Sequence, residues 1–241
     1  MALLTVKRRI ELARPCVLAP ERYDPRRESL RSVSVAARTV SLRDVARSVR
    51  QTINPATSIA GDRRYVVLDT SDVREGVIVG RKSSIRLPEV GSTKKLFVRN
   101  DVLISRLRPY LRQVAFADEG FAASNIDAEL VCSTEFFVLR SLDEESIAFL
   151  VPYLLSDPVQ SVLAASQEGG HHPRFDEAAL MALPIPEDVL TKRVVVSAAV
   201  VKSAALYRQS ERTMLELIGD AESAIAAKGL GLLKGVESGK T

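Results

Sequence analysis

The 241-residue sequence contains two cysteines and two histidines, and it has no uncharged apolar run of about 18 residues. Each scarcity excludes a class of protein. Cys16 and Cys132 stand far apart without a CxxC partner, which argues against a disulfide framework or a zinc site and predicts two small buried hydrophobes. His171 and His172 are adjacent, so their side chains point different ways, and no carboxylate lies at a metal-ligand spacing beside them. In MALLTVKRRIELARP the basic cluster follows the short apolar stretch instead of preceding it, unlike a secretory leader. The expectation is a cytoplasmic protein with no membrane partner.

Catalytic signatures are equally scarce. Gly235 and Gly239 leave three residues between them where a phosphate-binding loop has four, and residues 228–241 are expected to be a flexible tail. Asn54-Pro55-Ala56-Thr57 lacks the second proline and the aromatic that adenine methyltransferases use to hold a flipped base. No glycine-rich cofactor loop follows an early strand. Asp127 and Glu129 lack the nearby lysine of a metal-dependent nuclease core. With no nucleophile–base pair in view, the expectation is a non-catalytic chain with no cofactor and no metal.

Charge is what the sequence has in abundance, and it is unevenly placed. Residues 1–116 hold 24 Lys and Arg against 11 Asp and Glu, a net +13; the remainder holds 10 against 19, a net −9, and the whole is +4. Such polarity attracts a polyanion to one part of a molecule, although halves of a sequence need not be halves in space. The basic character is most pointed in KKLFVRNDVLISRLRPYLRQVAF, residues 94–116. There an apolar strand pattern runs into Arg106, Arg108 and Arg112, spaced around Pro109 and Tyr110. Three permanent cations on a hydrophobic run imply an anion opposite them, and nucleic acid is the obvious one.

With 46% hydrophobic residues the chain can bury a generous core. Residues 1–40 are Arg-rich and carry Pro15, Pro20 and Pro25, which predicts a lead-in arm. Ser41 and Asp44 predict a capped short helix ending before Asn54-Pro55. Strand-like segments then follow as RYVVLDT, GVIVG, VRNDVLISRL, RQVAFA and EFFVLR, enough for a sheet of about five strands. From Glu144 to Leu155 the period becomes helical, Asp157-Pro158 predicts an N-cap with Pro at the first helical position, and Asp176 caps one more short helix. Residues 41–187 thus read as one α+β domain with a mixed or antiparallel sheet. Residues 188–227 read as one long coiled-coil-like helix, with Val200, Tyr207, Met214 and Ala221 in heptad spacing and Ala204, Ile218 and Ile225 on the adjacent line. Such a helix either folds back along its own domain or pairs with another chain as a spacer.

The ordered strings NDVLISRLRPYLRQVAF, STEFFVLRS, FLVPYLLSDPVQSVLAASQEGGHHPRF and LMALPIPE, with the lead-in APERYDPRRESL, resemble the target recognition domain of type I restriction-modification specificity subunits. The resemblance spans roughly residues 10 to 227 and rests on the joint order of the pieces. Members of that family usually carry two recognition domains and two long helices, so this chain looks like a half-subunit.

The resemblance implies a sequence-specific binder of double-stranded DNA that directs a partner adenine methyltransferase, and possibly a restriction nuclease subunit, in a phage-defence system. It implies pairing as a homodimer or with a second half-subunit through Val200, Ala204, Tyr207, Met214, Ile218, Ala221 and Ile225. For DNA contact the candidates are Arg106, Arg108, Tyr110 and Arg112, then Arg81, Lys82, Lys94 and Lys95 at expected strand ends, then His171, His172 and Arg174 in a glycine-bearing loop. Several of the arginines could instead form ion pairs with Asp101 or Glu119. The competing expectation is a protein–protein adaptor of a methyltransferase-linked defence complex that binds DNA without regard to sequence.

Overall fold

Alternation along the strands sorts the side chains into three apolar layers, and those layers define the architecture. The structure, a computed structural model, describes residues 40–58, 61–167 and 173–227. The expected arm up to residue 39, the tail, Cys16, His171 and His172 lie outside the described residues. The fold is α+β, with two stacked sheets, short helices and one long helix.

The first sheet is antiparallel and has four strands: β2 (Ala46–Val49), β9 (Val102–Ser105), β10 (Val114–Phe116) and β12 (Phe136–Ser141), in the order β10-β9-β12-β2. The second has five: β3 (Thr52–Ile53), β4 (Arg64–Leu68), β7 (Ile85–Arg86), β8 (Lys94–Leu96) and β11 (Ala128–Ser133), in the order β3-β8-β11-β4-β7. Its β11–β4 pair is parallel, with Val131 opposite Val67. Two small pairs complete the strands: β1 (Val40–Ser41) with β13 (Pro184–Ile185), and β5 (Val73–Arg74) with β6 (Val77–Ile78).

Between the sheets, Leu103, Ala115, Phe136 and Val138 from the first meet Val66, Leu68, Leu130 and Cys132 from the second. The opposite side chains of the first sheet, Val102, Ile104, Phe116, Phe137 and Leu139, face the helical layer. Those of the second, Tyr65 and Val131, join Ile53, Leu87 and Val90 on its far side. Strand β9 is thus covered on both faces, which is why VLIS reads as a continuous apolar run instead of an alternating one. Removing a fully buried Leu103 or Leu139 side chain would cost about 2–5 kcal/mol. Cys132 behaves as a buried hydrophobe, and burial pushes its thiol up to about 12.

The helical layer contains α1 (Glu119–Ala123), α2 (Leu150–Leu155), α3 (Asp157–Ala165), α4 (Glu177–Met181), α5 (Glu187–Thr191) and α6 (Arg193–Ala227). Asp176 caps α4 by accepting from the Ala179 amide at 2.6 Å. Ser156, one residue before the expected Asp157, occupies the cap position of α3. At ~1.5 Å per residue, α6 extends about 50 Å.

Two expectations need correction, and one strand is absent from those expected. The helix expected from Ser41 is a single 3-10 turn, Leu42–Asp44, in which the Asp44 carboxylate accepts from the Ser41 amide and hydroxyl at 2.7 and 2.6 Å. The chain then becomes β2, because pairing with β12 buries Ala46 and Val49 and overrides the local helical signal. Strand β11 was obscured by the acidic Asp127 and Glu129 at its start, yet it sits at the centre of the second sheet. The continuous helix expected over residues 188–227 divides at Lys192 into α5 and α6. Among the described residues, no helix is long and apolar enough to cross a membrane.

Candidate nucleic-acid interface

Strand register brings candidates from three segments to one pole of the stacked sheets. Phe136 pairs with Ser105, and Ser133 pairs with Lys94, so the turn between β11 and β12 lies beside both Arg106 and Lys94. A bridge between Leu107 and Arg174 adds the segment before α4. Lys94, Lys95, Arg106 and Arg174 therefore gather around one hairpin turn, Thr134-Glu135, and Arg108 and Tyr110 follow two and four residues after Arg106.

Within this group the cations have different fates. The Arg106 Nε donates to Glu135 Oε2 at 2.8 Å. Arg174 engages the same carboxylate through Nε at 2.9 Å and Nη2 at 2.8 Å. Together these donors hold the Glu135 carboxyl at about 2, the Arg174 hydrogen bonds being the larger cause and Arg106 the second. Lys95 turns inward: its Nζ donates to the Phe136 carbonyl at 2.7 Å and lies 5.1 Å from the Phe137 ring centroid. Partial burial pulls its pKa down. Lys94 donates to the Ser92 hydroxyl at 3.0 Å.

Beyond Arg106 the chain forms a strained turn. Arg108 and Arg112 both adopt left-handed backbone, with φ of 45° and 50°, on either side of a 3-10 turn, Pro109–Leu111. A non-glycine residue there costs on the order of 1 kcal/mol, and such strain concentrates at functional loops. The turn is closed by the Leu111 and Arg112 amides, each donating at 2.8 Å to the carbonyls of Arg108 and Pro109. Arg112 is tied back to the helical layer, donating to the Leu155 carbonyl at 3.1 Å and pairing with Asp157. Arg108 forms no ion pair among the described residues, and it projects at the turn with Tyr110, which is 69% exposed, and Leu111. The acids weighed as partners for these arginines are engaged elsewhere. Asp101 accepts two hydrogen bonds of 2.8 Å from Arg140, and Glu119 pairs with Arg99.

Arg81 and Lys82 belong to a different site. Lys82 donates to Asp72 at 2.6 Å, while Arg81 is exposed at the rim of a cleft of about 310 Å3 that also includes Phe121, Asn125, Arg208 and Arg212. This cleft marks the joint where α6 is fastened to the sheets. Arg208 pairs with Asp118 through Nε and Nη2 and with Glu211 through Nη1 at 2.7 Å. Its guanidinium lies over the Phe121 and Tyr207 rings. Glu211 also accepts from the Gly80 amide at 3.1 Å and the Tyr207 hydroxyl at 2.9 Å.

The joint divides the expected pairing residues of α6. Val200 packs on the core and Ala204 is buried, while Tyr207 is spent in the joint. Met214, Ile218, Ala221 and Ile225 continue the same face beyond the joint and are exposed. Sequence reasoning missed Glu135, Asp118, Arg208 and Glu211. Asp118 carried a legible signal, since it caps α1 by accepting from the Phe121 amide at 2.9 Å. Glu135 carried none, because Arg106 and Arg174 lie 29 and 39 residues from it.

Two stacked sheets with a short-helix layer and a projecting long helix define a recognisable α+β class. Among solved structures, the fold matches a chain from work on complex assembly and conformational transition of the type I R-M system. That match has a TM-score of 0.52 and 21% identity, over 84% of this chain and 50% of that one. The HsdS subunit from Thermoanaerobacter tengcongensis aligns with a TM-score of 0.49 and 22% identity, over 83% of this chain and 50% of that one. The chain spans half the length of each of these two chains. No protein-family model and no curated protein matches the sequence. Among the described residues, no group of three or more His, Cys, Asp or Glu side chains could hold a metal ion.

Proposed function

We propose that the chain recognises a sequence in double-stranded DNA and directs a partner adenine methyltransferase to it, without performing chemistry itself. A restriction subunit of the same system is a further partner. The observation that carries this reading is the basic pole, where Arg106 and Lys94 flank the Thr134-Glu135 turn and Arg108 and Tyr110 project on the strained turn that follows Arg106. Cations with uncommitted donors supply phosphate affinity, and arginine in fixed geometry reads base edges. The fold shared with a chain of a type I R-M system supports the same reading. His171 and His172 join the proposal through their chain neighbour Arg174.

The proposed unit of recognition is residues 41–187, with 188–227 as the spacer. Met214, Ile218, Ala221 and Ile225 form an apolar stripe that a second copy or a second half-subunit would cover. Two identical chains paired antiparallel would read a two-part palindromic site with an unread gap.

The test is selection from a random-sequence duplex library with the purified chain, followed by binding of selected and scrambled duplexes across salt concentrations. Recognition gives an enriched motif and an affinity ratio of about a thousandfold or more. Uniform, steeply salt-dependent binding to every duplex would favour the adaptor reading instead.

A further inference from the structure

The reading above leaves open which cation distinguishes bases and what holds it. We infer that Arg106 reads a guanine and that Glu135, braced by Arg174, is the positioning residue that aims it. This inference rests on the DNA-recognition reading.

The backbone of Arg106 is pinned on both sides: its amide donates to the Glu135 carbonyl at 2.9 Å and its carbonyl accepts from the Phe175 amide at 3.3 Å. Its side chain is fixed at the next level, since Nε donates to Glu135 Oε2. That bond fixes the guanidinium plane yet leaves Nη1 and Nη2 without a partner among the described residues. The parallel pair of donors matches the O6 and N7 acceptors of guanine in the major groove. With a side chain 36% exposed, Arg106 can reach a ligand without first leaving a buried site.

Glu135 cannot swing with Arg106, because Arg174 holds both of its oxygens and the Leu107–Arg174 bridge ties that brace to the strand end carrying Arg106. An acid at a polyanion-binding pole opposes affinity by its charge. Its place there is accounted for if it immobilises a reader, since the rotamer freedom of Arg106 is then lost on folding and not again on binding. Arg108 is the counter-case. It is exposed and forms no ion pair among the described residues, suited to phosphate contact, which supplies affinity without sequence information.

The experiment uses the full-length chain and the random-sequence duplex library, comparing wild type with Arg106→Ala, Arg106→Lys, Glu135→Ala and Glu135→Gln. Wild type is expected to enrich a motif containing a guanine that all four variants lose by about tenfold or more, the rest of the motif being kept. The base position lost is the same in all four. Glu135→Ala is expected to bind scrambled duplex at least as tightly as wild type, and Arg106→Lys to keep the wild-type salt dependence. Glu135→Gln preserves the side-chain shape and serves if the alanine variant does not fold.

A merely structural Glu135 would lower preference at every position together, along with the melting temperature, and that result overturns the inference. So does a Glu135 variant with the full wild-type motif, while wild type itself enriches one. If wild type enriches no motif, the recognition reading fails and the inference falls with it.

Discussion

Two arginine–carboxylate networks, one at the pole and one at the joint, use the same chemistry to opposite ends. At the joint, Arg208 has a side chain only 10% exposed and spends Nε, Nη1 and Nη2 on Asp118 and Glu211. At the pole, Arg106 is half-buried and, among the described residues, spends Nε alone. A guanidinium with all three nitrogens engaged in a closed site fastens two elements together, whereas one held by a single edge is oriented and still able to bind. The joint also decides what α6 can do. Proximal to it, the helix face is buried by its own domain; distal to it, the same face continues as Met214, Ile218, Ala221 and Ile225, which are exposed.

The largest expected effect comes from breaking the joint. Asp118→Ala leaves Arg208 short of its main partner in a buried site and removes the cap of α1, and it is expected to cost about 3 kcal/mol in urea unfolding. The equivalent change at the pole tests whether exposure separates the networks: Glu135→Gln is expected to cost about 1 kcal/mol or less.

That smaller cost should depend on pH in a defined direction. Because the folded Glu135 carboxyl lies at about 2, below its ordinary 4.5, its contribution is present above 4.5 and is lost as pH falls towards 2. Denaturation of wild type and Glu135→Gln at pH 7, 4 and 2.5 should therefore show a constant difference above 4.5 that shrinks below it. A difference unchanged at 2.5 would mean that ionisation of Glu135 does not hold the network.

Substituting beyond the joint should leave folding almost untouched. Met214→Asp with Ile218→Asp is expected to change unfolding free energy by about 0.5 kcal/mol or less, both positions being exposed, while sedimentation shows any associated species shifted to single chains. An unchanged association state would remove the distal stripe from the proposed pairing. Smallest of all, Arg108→Ala should leave stability unchanged and lower the slope of log affinity against log salt by about 1, measured on scrambled duplex.

Much of the layer structure could be read locally. VLIS, FFVLR and RQVAF are strands because their apolar side chains alternate between two covered faces, and Asp176 and Pro158 act near helix starts as their chemistry requires. The short Ser41 helix could not be judged that way, since pairing with β12 outweighed its cap signal. The basic pole was half legible. Arg106, Arg108, Tyr110 and Arg112 stand together in sequence, but spacing around Pro109 could not say which turn inward.

Residue order alone determined where strands and helices could form, the surplus of cations before residue 116 and the heptad stripe along the last helix, because these depend on neighbours within a few positions. Tertiary structure decided the parallel β11–β4 pair, the division of α6 at Arg208 and the fate of each arginine. Those outcomes depend on carboxylates and carbonyls brought close by sheet register, such as Glu135 to Arg106 and Arg174, and no local pattern encodes a distance across the fold.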